Sequence, residues 1–350
     1  MFSSVRIVGA GLIGSSIGLA LSAKNIAVEM VDIDQRSQGL SSDLVGSVSV
    51  ADPELIIIAT PLGAFKEVFT TQIAMNPNSI VMDIGSVKTK PTVEVETLTG
   101  GFPNFVATHP MAGREIGGAE SARADLFISR SWIITPGAHT NPSAVAKVVE
   151  LIEGLGAKVV TLSPEEHDAA VARISHLPQI VSSLLAGTLE ESPGEWLELS
   201  GAGLRDTTRI AASDHELWKE IIHANRGEIS SLLINLQKDI AQLIISLDDE
   251  DEIAKFLQKG RVGRSKIPGK HGGKAREYAY LPIVIEDKPG QLGAIFNECA
   301  AMSVNVEDLS IEHSPGQLTA LITLALTEKD ASTFSNHLAS IGWNVHPIRK

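Results

Sequence analysis

Four short stretches of this chain carry side chains suited to moving a proton or gripping an anion. His109 opens His109-Pro110-Met111-Ala112-Gly113-Arg114-Glu115, directly after the apolar run Phe105–Thr108. An imidazole titrates near neutrality, so it can take a hydroxyl proton while a hydride leaves the same carbon. A strand-end histidine can equally be structural. Ser86, in Asp83-Ile84-Gly85-Ser86-Val87-Lys88, follows a neighbouring apolar run, and its hydroxyl can orient that imidazole or simply cap a helix. Ser175-His176-Leu177-Pro178-Gln179 sets a proline inside a helix-patterned stretch. Such a proline costs about 3 kcal/mol unless its surroundings compensate. The expectation is a kink facing a cleft; the alternative for His176 is a buried, hydrogen-bonded helix histidine. Arg209, in Thr208-Arg209-Ile210-Ala211, has apolar neighbours. Its guanidinium can hold a carboxylate through two parallel N–H bonds, or pair with Asp206 or another acid. No stretch has metal-ligand spacing, and His167-Asp168 is too short a cluster to argue from.

The partner for such groups is written at the start of the chain. Val5–Val8 reads as a strand, Gly9-Ala10-Gly11-Leu12-Ile13-Gly14 as a turn, Ser15–Ala23 as a helix and Ala27–Val31 as a second strand ending at Asp32. Gly9 permits the tight turn, Gly11 lets backbone approach a pyrophosphate, and Gly14 lets helix and strand pack closely. The helix N-terminus, with Leu12 and Ile13 leading into it, offers N–H groups to phosphate. Asp32 lies where a carboxylate accepts from the adenosine ribose, and its charge repels a 2′-phosphate, so the expected cofactor is NAD.

The elements that must position these residues follow in order. Apolar runs at 55–59, 79–83, 105–108, 131–134 and 158–161 alternate with helical patterns, which implies an α/β, Rossmann-like, doubly wound and mostly parallel sheet. Ligands bind such sheets at the carboxyl ends of the strands, and Thr60, Gly85, Ser86 and His109 all fall there. We read 1–162 as the dinucleotide-binding domain. Ser163-Pro164-Glu165-Glu166 is a helix start with a capping box, and 163–258 then reads as an all-helical substrate and dimerisation domain. One long apolar helix is expected over Leu217–Leu247, too apolar to be covered within one small domain, hence a homodimer through these helices. Residues 259–277 are basic and rich in glycine; they read as a linker, or as a loop whose Arg261, Arg264 or Lys270 reaches an anion. The order βαββαβ over 278–350 matches a ferredoxin-like fold.

The chain has 350 residues, 43% of them apolar, and a net charge of −13. The negative charge argues against nucleic acid as a partner. The single cysteine, Cys299, excludes an internal disulfide. The apolar stretch Ile7–Ala23 is short for a membrane span and its glycines are already explained. With a strand beginning almost at Met1, no signal peptide fits in front of it, so a cytoplasmic protein without membrane contact is expected.

Taken in order, GAGLIGSS, LIIIATP, DIGSVK, HPMAGREIGG, SHLP, GLRDTTRIA and the Leu-Trp pair at Trp218 resemble the prephenate/arogenate dehydrogenase family, and the tail resembles an ACT domain, a module that commonly binds amino acids. The resemblance implies an NAD-dependent oxidoreductase of tyrosine biosynthesis. Its substrate is a cyclohexadienol with a ring carboxylate; oxidising the C4 hydroxyl and losing CO₂ leaves an aromatic ring. By resemblance His109 is the base on the C4 hydroxyl and Ser86 orients it. Arg209 binds a substrate carboxylate, Ser175 and His176 line the pocket, and Thr60 lies near the nicotinamide ribose. Many relatives that use prephenate have a histidine directly after the SHLP proline. Here that residue is Gln179, which leaves prephenate (giving 4-hydroxyphenylpyruvate) and arogenate (giving tyrosine) both open, with prephenate favoured. The alternative class is a non-catalytic sensor of NAD and an amino acid. An aromatic amino-acid effector in the tail would meet Asp287, Gly290, Leu292 and Asn305.

Overall fold

The computed structural model describes residues 1–113, 117–267, 278–313 and 318–349. Arg114, Glu115 and Lys270, all named above, lie outside them. The chain divides into two compact units, Met1–Asp239 and Ile240–Lys350.

The first unit opens with β1 (Ser4–Val8), α1 (Leu12–Ser22), β2 (Ala27–Val31), α2 (Gln35–Val45), β3 (Leu55–Ile58), α3 (Phe65–Met75), β4 (Ile80–Asp83), α4 (Thr89–Thr99), β5 (Phe105–Pro110), β6 (Ser131–Thr135), α5 (Pro142–Gly154) and β7 (Lys158–Thr161). The strands form one sheet in the order β2-β1-β3-β4-β5-β6-β7. All pairs are parallel except β5 with β6. The strands read as unbroken apolar runs because both faces are covered. Ile7, Ile57, Met82 and Val106 pack on one side, and Val8, Ile56, Ile58, Val81 and Phe105 on the other. Each such side chain contributes about 1.5–3 kcal/mol on burial. The chain leaves β1 for β2 on one flank and returns to β3 on the other. The crevice this reversal opens lies at the carboxyl ends of β1 and β3, where Gly9 and Thr60 sit.

Helices follow: α6 (Pro164–Val171), a π-helical segment (Ala172–His176), α7 (Leu177–Gly187), α8 (Gly194–Glu198), α9 (Ala202–Thr208), a 3₁₀ turn (Arg209–Ala212), α10 (His215–Ala224), α11 (Arg226–Ile245) and α12 (Glu250–Ser265). The capping box at Ser163 forms: Ser163 Oγ accepts from Glu166 N, and Glu166 Oε2 from Ser163 N.

Three expectations are corrected here. Pro178 does not lie within a continuous α-helix; it stands in the first turn of α7, directly after the π-helical segment that interrupts the α pattern. The long helix expected over 217–247 is two, broken at Asn225, whose φ of −103° and ψ of 24° end α10. And 259–265 is helix rather than linker. Asp249 caps α12 by accepting from Asp251 and Glu252 N; Glu250, Asp251 and Glu252 fill its first turn and Arg264 its last. These acids and this base are the charge-matched ends of one helix dipole. No described helix is long and apolar enough to cross a membrane.

In the second unit, beyond α12, come β8 (Ala279–Glu286), α13 (Gln291–Ala301), β9 (Asp308–His313), β10 (Thr319–Leu326), α14 (Glu328–Ser340) and β11 (Asn344–Val345). They make a four-stranded antiparallel sheet in the order β11-β8-β10-β9. Leu281, Ile283, Ile322, Leu324, Phe334 and Leu338 form its core. β9 begins only at Asp308, because Ser303 turns at φ 54° and Val304 N still donates to Cys299 O.

Candidate active site

The glycine turn is built as its spacing requires. Gly9 has φ +116°, and a Cβ there would lie 2.4 Å from Ala59 O. A Cβ on Gly14 would lie 2.1 Å from Gly9 O, whereas one on Gly11 would meet nothing within 4 Å. So two glycines hold β1, α1 and β3 together, and the third leaves open backbone at the α1 N-terminus, which has no acid in its first turn and no side-chain cap. Asp32 Oδ2 accepts from Ala10 N at 2.6 Å, fixing the carboxylate beside the turn. Thr60 Oγ1 is buried and, among the described residues, has no hydrogen-bond partner. An open phosphate cradle, a fixed carboxylate and an unsatisfied buried hydroxyl together fit a dinucleotide. Gly14→Ala is expected to weaken NAD binding at least tenfold, because the backbone of Gly9 must move; titration by intrinsic fluorescence checks this.

His109 lies inside β5, paired with Ile133 of β6, rather than just beyond the strand. Its Nδ1 is 2.9 Å from Nε2 of His167. His167 Nδ1 is 2.8 Å from Asp168 Oδ1. Asp168 in turn accepts from the backbone of Lys88 at 2.8 Å and of Thr89 at 2.9 Å, at the N-terminus of α4. Burial pushes the Asp168 carboxyl up, but hydrogen bonds from His167, Lys88 and Thr89 outweigh it and leave the group below the ordinary carboxylate range. Burial, then the charges His167, Lys88 and His176 can carry, holds the His109 imidazole well below its ordinary value, so it is neutral at pH 7.

Beneath this chain lies a second buried group. Lys88 Nζ donates to Asp83 Oδ2 and to Thr108 O. Asp83 also accepts from Gly85 N and Thr108 N, and Thr108 Oγ1 accepts from Trp132 Nε1 at 3.0 Å. Gly85, expected at the cofactor, thus has its N–H bound to Asp83. These bonds lock the ends of β4, β5 and β6 under His109.

His176 is buried, and its Nδ1 accepts from Asn225 Nδ2 at 3.1 Å, while the same amide donates to Asp168 O at 2.8 Å. The hydrogen-bonded alternative for His176 is therefore what the fold contains. Asn225 breaks α10 from α11 in order to tie both histidine-bearing helices together. Burial lowers the His176 pKa to about 4. Below pH 6.5 the unfolded chain takes up a proton that the native state refuses until about pH 4, so stability is full above 6.5 and is lost as pH falls through this window. The loss is about 1.4 kcal/mol per pH unit. Urea denaturation at pH 7 and pH 5 should show it, with a shallower dependence in His176→Gln.

The remaining predicted residues fall into two sets. Gln179 is buried, and its Nε2 donates to Ile210 O at 2.9 Å, pinning the 209–212 turn to α7. Arg209, despite its apolar neighbours in sequence, lies exposed in that turn, because α9 and the turn carry no buried residue. Ser175 is half-buried in the π-helical segment. Ser86 is half-buried as well and makes no hydrogen bond to His109; the ring nitrogen it was expected to orient is held by His167. In the other unit, Gly290 (φ +92°) caps α13 and Leu292 is exposed. Asp287 N donates to Leu318 O, and Asn305 Nδ2 to Glu307 at 2.9 Å.

The sequence reading missed His167, Asp168 and Asn225. A signal existed for the first two. Pro164, His167, Asp168 and Val171 share the buried face of α6. Polar residues at core-facing positions of a well-capped helix are errors unless they have work to do.

Residues 23–161 match the model of the prephenate dehydrogenase nucleotide-binding domain, and residues 163–259 that of the prephenate dehydrogenase dimerization domain. The chain is 26% identical to the prephenate dehydrogenase of Bacillus subtilis over 94% of each chain. It resembles the crystal structure of prephenate dehydrogenase from Aquifex aeolicus in complex with hydroxyphenyl propionate and NAD⁺. The identity there is 28%, with TM-score 0.68 and coverage of 75% of this chain and 98% of that one. Synechocystis arogenate dehydrogenase is 29% identical with TM-score 0.64, covering 75% of this chain and 99% of that one. With the glycine cradle and the imidazole at the end of β5, these likenesses establish that the chain belongs to the prephenate dehydrogenase family and is an NAD-dependent oxidoreductase.

Proposed function

We propose that His109 is the general base of this chain, and that its hydrogen-bonded chain to His167 and Asp168, at the same carboxyl edge of the sheet as the glycine cradle, is the observation that carries the reading. The reaction is the NAD-dependent oxidative decarboxylation of prephenate in tyrosine synthesis. NAD⁺, when bound, supplies the hydride acceptor. The chain's own residues do the rest. Gly9, Gly11, Leu12, Ile13 and Gly14 form the phosphate cradle, Asp32 receives the adenosine ribose, and Thr60 offers its unsatisfied hydroxyl on the nicotinamide side. His109, kept neutral by burial, takes the C4 hydroxyl proton. Arg209, reaching from an exposed turn, grips a substrate carboxylate, and Ser86, Ser175 and Gln179 line the approach.

Gln179 spends an amide N–H on Ile210 O. Its carbonyl remains the group able to face the side chain that differs between prephenate and arogenate. An assay of NADH formation with each substrate tests the choice. Faster turnover of prephenate is expected; faster turnover of arogenate reverses the assignment, and no NADH from either favours the sensor.

Two further roles belong to this reading. Ile234 of α11 is exposed, as are Leu184 and Leu185 of α7, an amount of apolar surface that supports a homodimer through the helical part. In the second unit the βαββαβ order, with the left-handed Gly290 opening α13, supports an ACT-like module whose Asp287–Leu292 turn and Asn305 receive an aromatic amino acid. Calorimetry with tyrosine and phenylalanine checks it, and no heat from either removes the effector.

A further inference from the structure

We infer that His167 and Asp168 are positioning residues that fix which nitrogen of His109 is the base: Asp168 orients His167, and His167 orients His109. The inference rests on His109 being the base and adds how it is made one.

Donors and acceptors alternate along a buried line from Asp168 to His109. Both Asp168 oxygens receive backbone N–H groups at the α4 N-terminus, from Lys88 and Thr89. A carboxylate in that place is ionised and only accepts. His167 Nδ1, 2.8 Å from Asp168 Oδ1, must therefore carry a proton. A neutral imidazole protonated at Nδ1 presents a lone pair at Nε2. That lone pair lies 2.9 Å from His109 Nδ1, so Nδ1 of His109 carries the proton in this contact. By elimination the lone pair of His109 is on Nε2, which has no hydrogen-bond partner among the described residues. The anchored carboxylate thus sets two tautomers in sequence, and the far end of the line is the nitrogen that faces the reaction.

The same line receives the charge the reaction creates. The C4 hydroxyl proton bonds to His109 Nε2, and its O–H pair becomes part of the new carbonyl. As the hydride leaves C4 for NAD⁺, His109 becomes an imidazolium whose Nδ1–H points at His167 and, through it, at Asp168. The pair of the breaking C–CO₂ bond then enters the ring while the carbonyl pair returns to oxygen, which takes the proton back from His109 as the phenol forms. Among the described residues, the other charged or titratable groups around His109 are Lys88 and Asp83 at the β4–α4 end and His176 on the π-helical segment. Lys88 is committed to Asp83 and Thr108 O, and His176 accepts from Asn225. That leaves Asp168 as the anion in line with His109.

The test begins with the wild-type protein, without substrate, by ¹⁵N NMR of its histidines, His109 being assigned from the signal lost in His109→Asn. His109 and His167 are both expected as Nδ1–H tautomers; an Nε2–H His109 overturns the inference whatever the kinetics show. His167→Gln, which leaves the Asp168 cap on α4 in place, is expected to scramble the His109 tautomer and lower kcat about 10²-fold, with the KM for NAD⁺ unchanged. Asp168→Asn is expected to do the same and to move the acid limb of kcat/KM to lower pH, because an anion that favours the imidazolium is gone. Asp168→Glu should recover part of kcat. A fall in Tm with the tautomer, kcat and acid limb unmoved would make Asp168 a helix cap only, and overturn the proposal. If His109→Asn itself retains full kcat, the base assignment fails while the tautomer result still stands by itself.

Discussion

His109→Asn is expected to lower kcat by about 10²–10⁴-fold, the range a positioned general base supplies, with NAD affinity unchanged. Asparagine keeps a polar side chain of similar reach but cannot take a proton. The cofactor cradle depends on other residues: Gly9 and Gly14 meet Ala59 and each other, and Asp32 is fixed by Ala10 N. A loss confined to kcat therefore separates the base from the binding site. Steady-state NADH formation at 340 nm, with NAD affinity measured separately by fluorescence, checks both halves. An unchanged kcat would remove His109 from the chemistry. An equal loss of NAD binding would mean that the variant disturbs β5 rather than the proton transfer.

Lys88→Met is expected to cost about 3–5 kcal/mol of folding stability, although Lys88 stands outside the reaction. Lys88 Nζ is fully buried and serves Asp83 Oδ2 and Thr108 O. Burial lowers the ammonium pKa, opposed by the Asp83 charge. Methionine fills the same volume but leaves Asp83 as an uncompensated anion in the core. Adding Asp83→Asn should restore part of the loss, because the unpaired charge goes while the amide oxygen still accepts from one of the two N–H groups, Gly85 N or Thr108 N. Urea denaturation of the single and double variants measures this. A double variant no more stable than Lys88→Met would show that the cost arises from packing rather than from charge.

Much of the scaffold was legible because its signals are local. Ala27–Val31 and Lys158–Thr161 are strands over the expected residues, and Ser163 caps its helix as the capping box requires. The glycine spacing announced which Cβ atoms the turn cannot accept. What was illegible depends on groups far apart in sequence. His109 and His167 are 58 residues apart, and nothing between them signals that β5 and α6 bring the rings to 2.9 Å. Asn225 looked like one polar residue within an apolar helix; it ends that helix because its amide is used on Asp168 O and His176. The antiparallel β5–β6 pair and the helical 259–265 were missed for a related reason. Strand direction leaves no periodic trace, and a basic, glycine-bearing run reads as linker until the acids at the other end of its helix are counted with it.

The central claim is that an imidazole kept neutral by burial performs the oxidation, and its most direct test is the pH dependence of kcat/KM for prephenate between pH 5 and 8 at saturating NAD⁺. The account predicts a flat profile through the ordinary histidine value of 6.5, with the acid limb well below it, since burial and the neighbouring His167, Lys88 and His176 all disfavour the imidazolium. A limb centred at or above 6.5 would contradict it: the titrating group would then be an ordinary solvated histidine, and the line from Asp168 to His109 would not be the engine of this site.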